Sequence, residues 1–270
     1  MTTYDDLLED LEAEYRDLKA LVGPLASDAP EWDLPTPAEG WAVRDQISHL
    51  AYFDVAAHLA VAEPVKFALM AEAFMQQEGD PMEGHLTRGR SMTGAELLEW
   101  WEQSHEGLAE VLKTADPKTR VPWFGPPMGL LSFVSARLME TWAHGQDVAD
   151  ALGRERVATD RLRHVAHLGV KARPFSYVVH GREAPPARID VVLEAPSGEE
   201  WTWQVGEESD LEPVSSIKGT AEAFCLVVTQ RRNVADTTLV VKGDAALDWI
   251  SVAQAFAGPP GPGRAPSDTG

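Results

Sequence analysis

The sequence predicts an α+β protein: an antiparallel helical bundle in the N-terminal half, then a smaller domain of mixed helices and strands. Three observations predict it. Apolar residues recur at helical spacing through most of the first 152 positions. Segments that read as strands enter only after the Pro185-Pro186 break. The chain has 270 residues, 44% of them apolar, which suffices for one large or two small domains at roughly 100–200 residues each.

The first helix is expected over residues 4–22, with Leu7, Leu8, Leu11, Tyr15, Leu18 and Val22 on one stripe and acids opposite. Pro24, Pro30, Pro35 and Pro37 make residues 23–40 a loop. A second helix follows over 43–61, with Val43, Ile47, Leu50, Ala57 and Val61 on one face, and a third over 65–77. Thr93 and Glu96 have capping-box spacing and open a helix that turns Leu97, Trp101, Leu108 and Leu112 inward. After a loop marked by Pro122, Pro126 and Pro127, a further helix runs over 131–152 and stops at Gly153. In the second half, residues 160–172, 220–230 and 245–256 read as helices, and 189–193, 201–205 and 237–241 as strands. Ser197-Gly198 turns the first two strands on each other. These elements give domains over 1–153 and 154–257 and a Gly/Pro-rich tail over 258–270 that ends in disorder.

Charge narrows the function. There are 43 acidic against 23 basic residues, a formal net charge of −20. A duplex-binding protein needs a basic footprint to release phosphate counterions, and an anionic membrane surface attracts bases. Nucleic acid and membrane are therefore not expected partners. The start of the chain has no apolar signal core and no segment spans a bilayer, so the cytoplasm is the expected location. The lone Cys225 sits in the apolar run Ala223–Val228 and reads as a core thiol.

The informative segment is Leu138–Asp147. Glu140 and His144 lie four apart and project from one helix face, on the stripe of Ala136, Val148 and Ala151 that faces the interior. A buried carboxylate is costly unless it is paired or binds a metal. Imidazole and carboxylate both ligate zinc and related divalent ions. On spacing alone, metal ligation and a simple Glu–His pair both remain open. His49, beside the apolar face of the second helix, offers a third ligand or a satisfied half-buried histidine. Three protein ligands would leave a coordination position open, the pattern of catalytic rather than structural sites. Asp147 is a candidate partner for His144 or a surface carboxylate, and His105 a core histidine or an additional site residue. Asp54 lies on the inward pattern of the second helix and reads as a site partner or a helix-internal salt bridge, and His85 reads as a surface or loop residue. Trp123-Phe124 reads as a packed loop or a pocket wall.

Two segments, Gly40-Trp41-Ala42-Val43-Arg44-Asp45-Gln46-Ile47-Ser48-His49-Leu50 and Glu140-Thr141-Trp142-Ala143-His144-Gly145-Gln146-Asp147, resemble the metal-binding N-terminal domain of mycothiol-dependent maleylpyruvate isomerases. That family lies within the DinB-like superfamily. The resemblance implies a DinB-like four-helix bundle over about residues 1–153. Behind it, the resemblance implies a sterol-carrier-protein-like α+β domain. It implies that His49, Glu140 and His144 hold a divalent metal, zinc first, with nickel or iron as alternatives. It further implies a low-molecular-weight thiol such as mycothiol as cofactor. In the family isomerases a thiolate adds to an electron-poor alkene, rotation follows, and the thiolate is eliminated. A late arginine assists, and here Arg231 or Arg232 occupies that place. The expected activity is thus a metal- and thiol-dependent isomerase or S-transferase acting on a small-molecule electrophile as substrate. A non-catalytic metal or ligand binder, and a metal-water hydrolase or lyase, are the competing readings. The sequence leaves metal, substrate and oligomeric state open.

Overall fold

The computed structural model describes residues 3–76, 79, 81–207, 215–261 and 263–267. Contacts divide the chain into two units, Met1–Arg156 and Val157–Gly270.

The first unit is helical. Its four long helices are α1 (Tyr4–Val22), α2 (Val43–Ala62), α5 (Gly94–Thr114) and α6 (Leu130–Ala151). Two shorter ones, α3 (Pro64–Gln76) and α4 (Glu83–Arg90), lie between α2 and α5. Residue 77, the expected end of the third helix, lies outside the described residues. Local chemistry explains the boundaries. Thr3 and Asp6 form a capping box on α1, and Thr93 and Glu96 form the expected one on α5. Asp45 accepts from the Ala42 N–H at 2.9 Å, closing the start of α2, and from Arg90 Nε at 2.9 Å, tying α4 to it. Gly153 follows α6 at φ 61°, the left-handed conformation that a side chain resists.

α1 packs chiefly on α6, and α2 on α5. Tyr15, Leu18 and Val22 of α1, Ile47 and Leu50 of α2, Leu97 and Trp101 of α5 and Val148 of α6 meet in one cluster with Trp32. Burying each large apolar side chain contributes about 1.5–3 kcal/mol. The expected single apolar face of α2 is too narrow a description. Gln46, Ser48, Phe53 and Ala56 are buried as well as the inward Asp54, because α3, α4 and α6 also pack on this helix. α4 was not expected; its sequence is polar, yet it turns His85, Leu86 and Gly89 inward. Trp32 also sets a tight limit at Gly94. A Cβ there would stand 2.1 Å from the indole Nε1, which donates to the Ala26 carbonyl at 3.0 Å. Gly94→Ala is therefore predicted to destabilise the protein by at least about 2 kcal/mol in urea unfolding; an unchanged midpoint would show that Trp32 can move aside without loss.

The Pro122–Pro127 loop is flanked by a two-residue antiparallel pair, β1 (Arg120–Val121) and β2 (Met128–Gly129). No helix among the described residues is long and apolar enough to cross a membrane.

The second unit opens with α7 (Leu162–Lys171) and α8 (Arg173–Val179) and continues into a four-stranded mixed sheet. Its strands are β3 (Ile189–Glu194), β4 (Glu200–Val205), β5 (Ser215–Thr220) and β6 (Val240–Lys242), in the order β4-β3-β5-β6. β3 and β4 form the expected antiparallel hairpin, with Val191 opposite Trp203. β5 runs parallel to β3 and antiparallel to β6. Ile189, Val191, Leu193 and Ile217 face inward, toward α9 (Ala221–Val228) and α10 (Asp244–Val252). α9 is capped by Thr220 and ends where Gln230 adopts φ 59°. Cys225 is buried on it, and burial pushes its thiol well above the usual range.

Three expectations shift here. The strand expected at 237–241 begins at Val240, because Thr237 Oγ1 donates to the Val234 carbonyl and accepts from the Leu239 N–H. Such local bonds compete with strand pairing. α10 ends at Val252, because the Ala255 N–H donates to the Val228 carbonyl instead of continuing the helix. The tail folds back: the Arg264 carbonyl accepts from Asn233 Nδ2 at 2.7 Å. Its expected disordered end, residues 268–270, lies outside the described residues.

Candidate metal centre

His49 on α2 faces Glu140 and His144 on α6. One ligand atom from each lies within 4.8 Å of the other two. Glu140 Oε2 is 3.2 Å from His144 Nε2 and 3.8 Å from His49 Nε2. Two donors on one zinc ion, each about 2.1 Å from it, stand no more than about 4.2 Å apart, so both contacts of the carboxylate are compatible with a shared ion. The i,i+4 spacing aligns Glu140 and His144, and the α2–α6 packing delivers His49.

The electrostatics suit a cation. Burial alone would raise the Glu140 carboxyl, but hydrogen bonding and charge from His144 and His49 outweigh it and hold it well below the usual carboxylate range. Burial pushes the His49 imidazole down to about 4, with the positive charge of His144 adding to the effect. The site thus combines a carboxylate with a neutral imidazole. His49 Nδ1 is buried and has no hydrogen-bond partner among the described residues. A divalent ion fits this donor set better than a bare ion pair does.

Aromatic rings surround the triad. Trp41 stacks on His144 with ring centres 5.9 Å apart and lies 5.2 Å from His49. Phe53 lies 4.5 Å from His49. Trp123 stacks on Phe67, and Phe124 meets Phe53 and Phe74, so the expected loop joins an aromatic cluster that reaches the His49 side of α2.

The remaining candidates are placed as follows. Nδ1 of His144 meets Gln46 Oε1, and Asp147 is buried on the same helix rather than at the surface. Asp54 is not paired within its own helix: its Oδ1 accepts from Nε and Nη2 of Arg137 on α6 at 3.2 and 2.9 Å. His105 stacks on Tyr15 and bonds Glu12 at 2.9 Å, apart from the triad. It lines a groove of about 950 Å³ between α1 and α5 that contains none of the three ligands. His85 is not on the surface; it is 4% exposed, stacked on Tyr52 and 5.5 Å from His49. Arg231 and Arg232 lie in the second unit just past α9, where their Nη1 groups donate to the Thr229 and Arg231 carbonyls. Gln46, Thr36 and Arg137 were missed. The signal for Gln46 was a polar residue one turn before His49 in an apolar pattern, but its partner lies 98 positions away.

Comparison with known proteins fits this geometry. The family profile described as the mycothiol maleylpyruvate isomerase N-terminal domain matches residues 11–149, about half of the chain and all three candidate ligands. The chain belongs to that family. Two curated relatives within reach of it, uncharacterized proteins of the CDC 1551 and H37Rv strains of Mycobacterium tuberculosis, are each 42% identical over 255 residues. The alignment covers 94% of this chain and 96% of theirs. Among solved structures, the crystal structure of the mycothiol-dependent maleylpyruvate isomerase matches with a TM-score of 0.56 at 16% identity, over 90% of this chain and 96% of that one. A histidine-to-alanine mutant of that isomerase matches at 0.54 and 16%, over 86% and 92%. At that identity the likeness shows the fold. This member of the mycothiol maleylpyruvate isomerase N-terminal domain family is therefore an α+β protein, with a helical region first and a four-stranded mixed sheet after it.

Proposed function

We propose that this protein is a divalent-metal enzyme that uses a low-molecular-weight thiol to isomerise a small electrophile or to transfer the thiol to it. The observation that supports it most is the His49–Glu140–His144 cluster, with its anionic carboxylate and neutral imidazole. In this reading the helical unit is a DinB-like four-helix bundle and the second unit a sterol-carrier-protein-like domain. Zinc is the first choice of ion, because the donors are two imidazoles and a carboxylate.

The three side chains would hold the ion, which lowers the pKa of a bound thiol so that thiolate is present at neutral pH. Glu140 offsets one of the two positive charges that the ion brings. Trp41 and Phe53 restrict water at the imidazoles. A thiol held there would supply a nucleophilic sulfur able to add reversibly to an electron-poor alkene, for isomerisation, or to stay bonded to carbon after proton uptake, for S-transfer. Arg231 or Arg232 would bind a substrate carboxylate bidentately.

The test is turnover of an electrophilic alkene by zinc-loaded protein with mycothiol, with glutathione and without thiol, for the wild type and the Arg231→Ala and Arg232→Ala variants. Thiol-dependent turnover that falls at least tenfold in one arginine variant is expected. Metal-dependent turnover that ignores thiol would move the assignment to water activation. Zinc binding with no turnover under any thiol would reduce the protein to a binder. Thiol-dependent turnover indifferent to both arginines would remove the carboxylate clamp and leave the rest.

A further inference from the structure

Gln46 is fully buried on α2, one turn before His49. An uncharged amide at such a position costs stability unless its groups are paired, and here both ends are. Gln46 Nε2 bonds Thr36 Oγ1 at 2.9 Å. Thr36 Oγ1 bonds the Trp41 carbonyl at 2.9 Å. Gln46 Oε1 bonds His144 Nδ1 at 2.5 Å. The chain of bonds has one direction. The Trp41 carbonyl can only accept, so the Thr36 hydroxyl spends its single proton there. Thr36 oxygen must then accept, which requires the NH2 end of Gln46. The carbonyl end of Gln46 is left facing His144, and Nδ1 must supply the proton.

We propose that Gln46 is a positioning residue that keeps His144 Nδ1 protonated and so presents Nε2, the atom 3.2 Å from Glu140, as the ligand nitrogen. The proposal rests on the metal reading above for its purpose, though not for the bond itself. Histidine ligands are commonly oriented by an acceptor at the other ring nitrogen, which fixes the ring and strengthens it as a ligand. In this protein the acceptor is a neutral amide, backed by a threonine and a main-chain carbonyl from the loop before α2. The same loop provides Trp41, whose ring stacks on His144. That short proline-rich segment, tied by the Thr36 N–H to the Trp41 carbonyl at 2.8 Å, thus holds both the face and the Nδ1 edge of one imidazole. Reversing the amide would give a different outcome: the Thr36–Trp41 hydroxyl bond would be lost, and Gln46 would donate to an unprotonated Nδ1.

Two measurements on the full-length protein decide it. The first is nitrogen NMR of histidine-labelled, metal-free wild type, with His144 assigned by its loss in His144→Ala. A protonated Nδ1 is expected; an unprotonated Nδ1 overturns the proposal. The second is zinc affinity by chelator competition. Gln46→Met keeps length and burial but has no acceptor, and is expected to weaken zinc binding roughly 10–100-fold. Gln46→Glu keeps an oxygen acceptor and is expected to stay within about tenfold of wild type on the same scale. Circular dichroism checks that both variants fold, and the wild-type NMR result stands even where one does not. A folded Gln46→Met protein with wild-type zinc affinity also overturns the positioning role. Failure of the wild type to bind zinc at all sinks the metal reading itself, and it is distinguishable because the Nδ1 signal is read without metal.

Discussion

His144→Ala is expected to abolish stoichiometric zinc binding while leaving the helix content nearly unchanged. The variant removes one of three ligand groups, so its loss of affinity should exceed the roughly 10–100-fold that changes to supporting residues produce. The fold should tolerate it. Alanine is the strongest helix former, and the lost ring lies at the α2–α6 interface beside Trp41, which can follow it inward. The removed imidazole also leaves Gln46 Oε1 without its donor, so a small drop in stability, about 1–3 kcal/mol, should accompany the loss of metal. Elemental analysis of purified wild-type and variant protein, with circular dichroism on both, checks this. One zinc per chain retained by a folded His144→Ala protein would show that the ion, if any, sits elsewhere.

The second large effect is on stability and lies along the same interface. Arg137 is on α6 one turn before Glu140, and Asp54 is on α2 just past His49. Their side chains are each 4% exposed and meet at 2.9 Å. Asp54→Ala would leave a guanidinium buried without its counter-charge, which costs about 3–5 kcal/mol. Replacing both, as Asp54→Leu with Arg137→Met, removes the stranded charge and is expected to recover most of that loss. Urea unfolding of the two single variants and the double variant gives the coupling directly. A loss below about 1 kcal/mol for Asp54→Ala would mean that water reaches the guanidinium and that the pair behaves as a surface one. The pair also bears on the candidate metal centre. The Arg137 charge helps keep His49 neutral, and an unbalanced guanidinium would oppose a divalent cation nearby.

Residue order alone specified the four long helices of the first unit and the alignment of two candidate ligands on one of them. Apolar spacing set the stripe of α1, a capping box set the start of α5, and Gly153 set the end of α6. Glu140 and His144 needed no tertiary information to be aligned, because 3.6 residues per turn places positions four apart on one face. The β3–β4 hairpin was equally local, with a turn and alternating strands in one short stretch. What tertiary structure decided was every relation between distant segments. Periodicity says which face of a helix is apolar, not which helices meet it. Hence α2 was read with one buried face, although its neighbours enclose it, and His85 was read as exposed although polar α4 carries it inside. β5 was missed because Ser215–Thr220 is a strand through its pairing with β3 and β6, not through its own composition. Asp54 found Arg137 across 83 positions, and His144 found Gln46 across 98. Hydrogen bonds and ion pairs of that range depend on geometry at the scale of tenths of an ångström, which packing supplies and residue order does not.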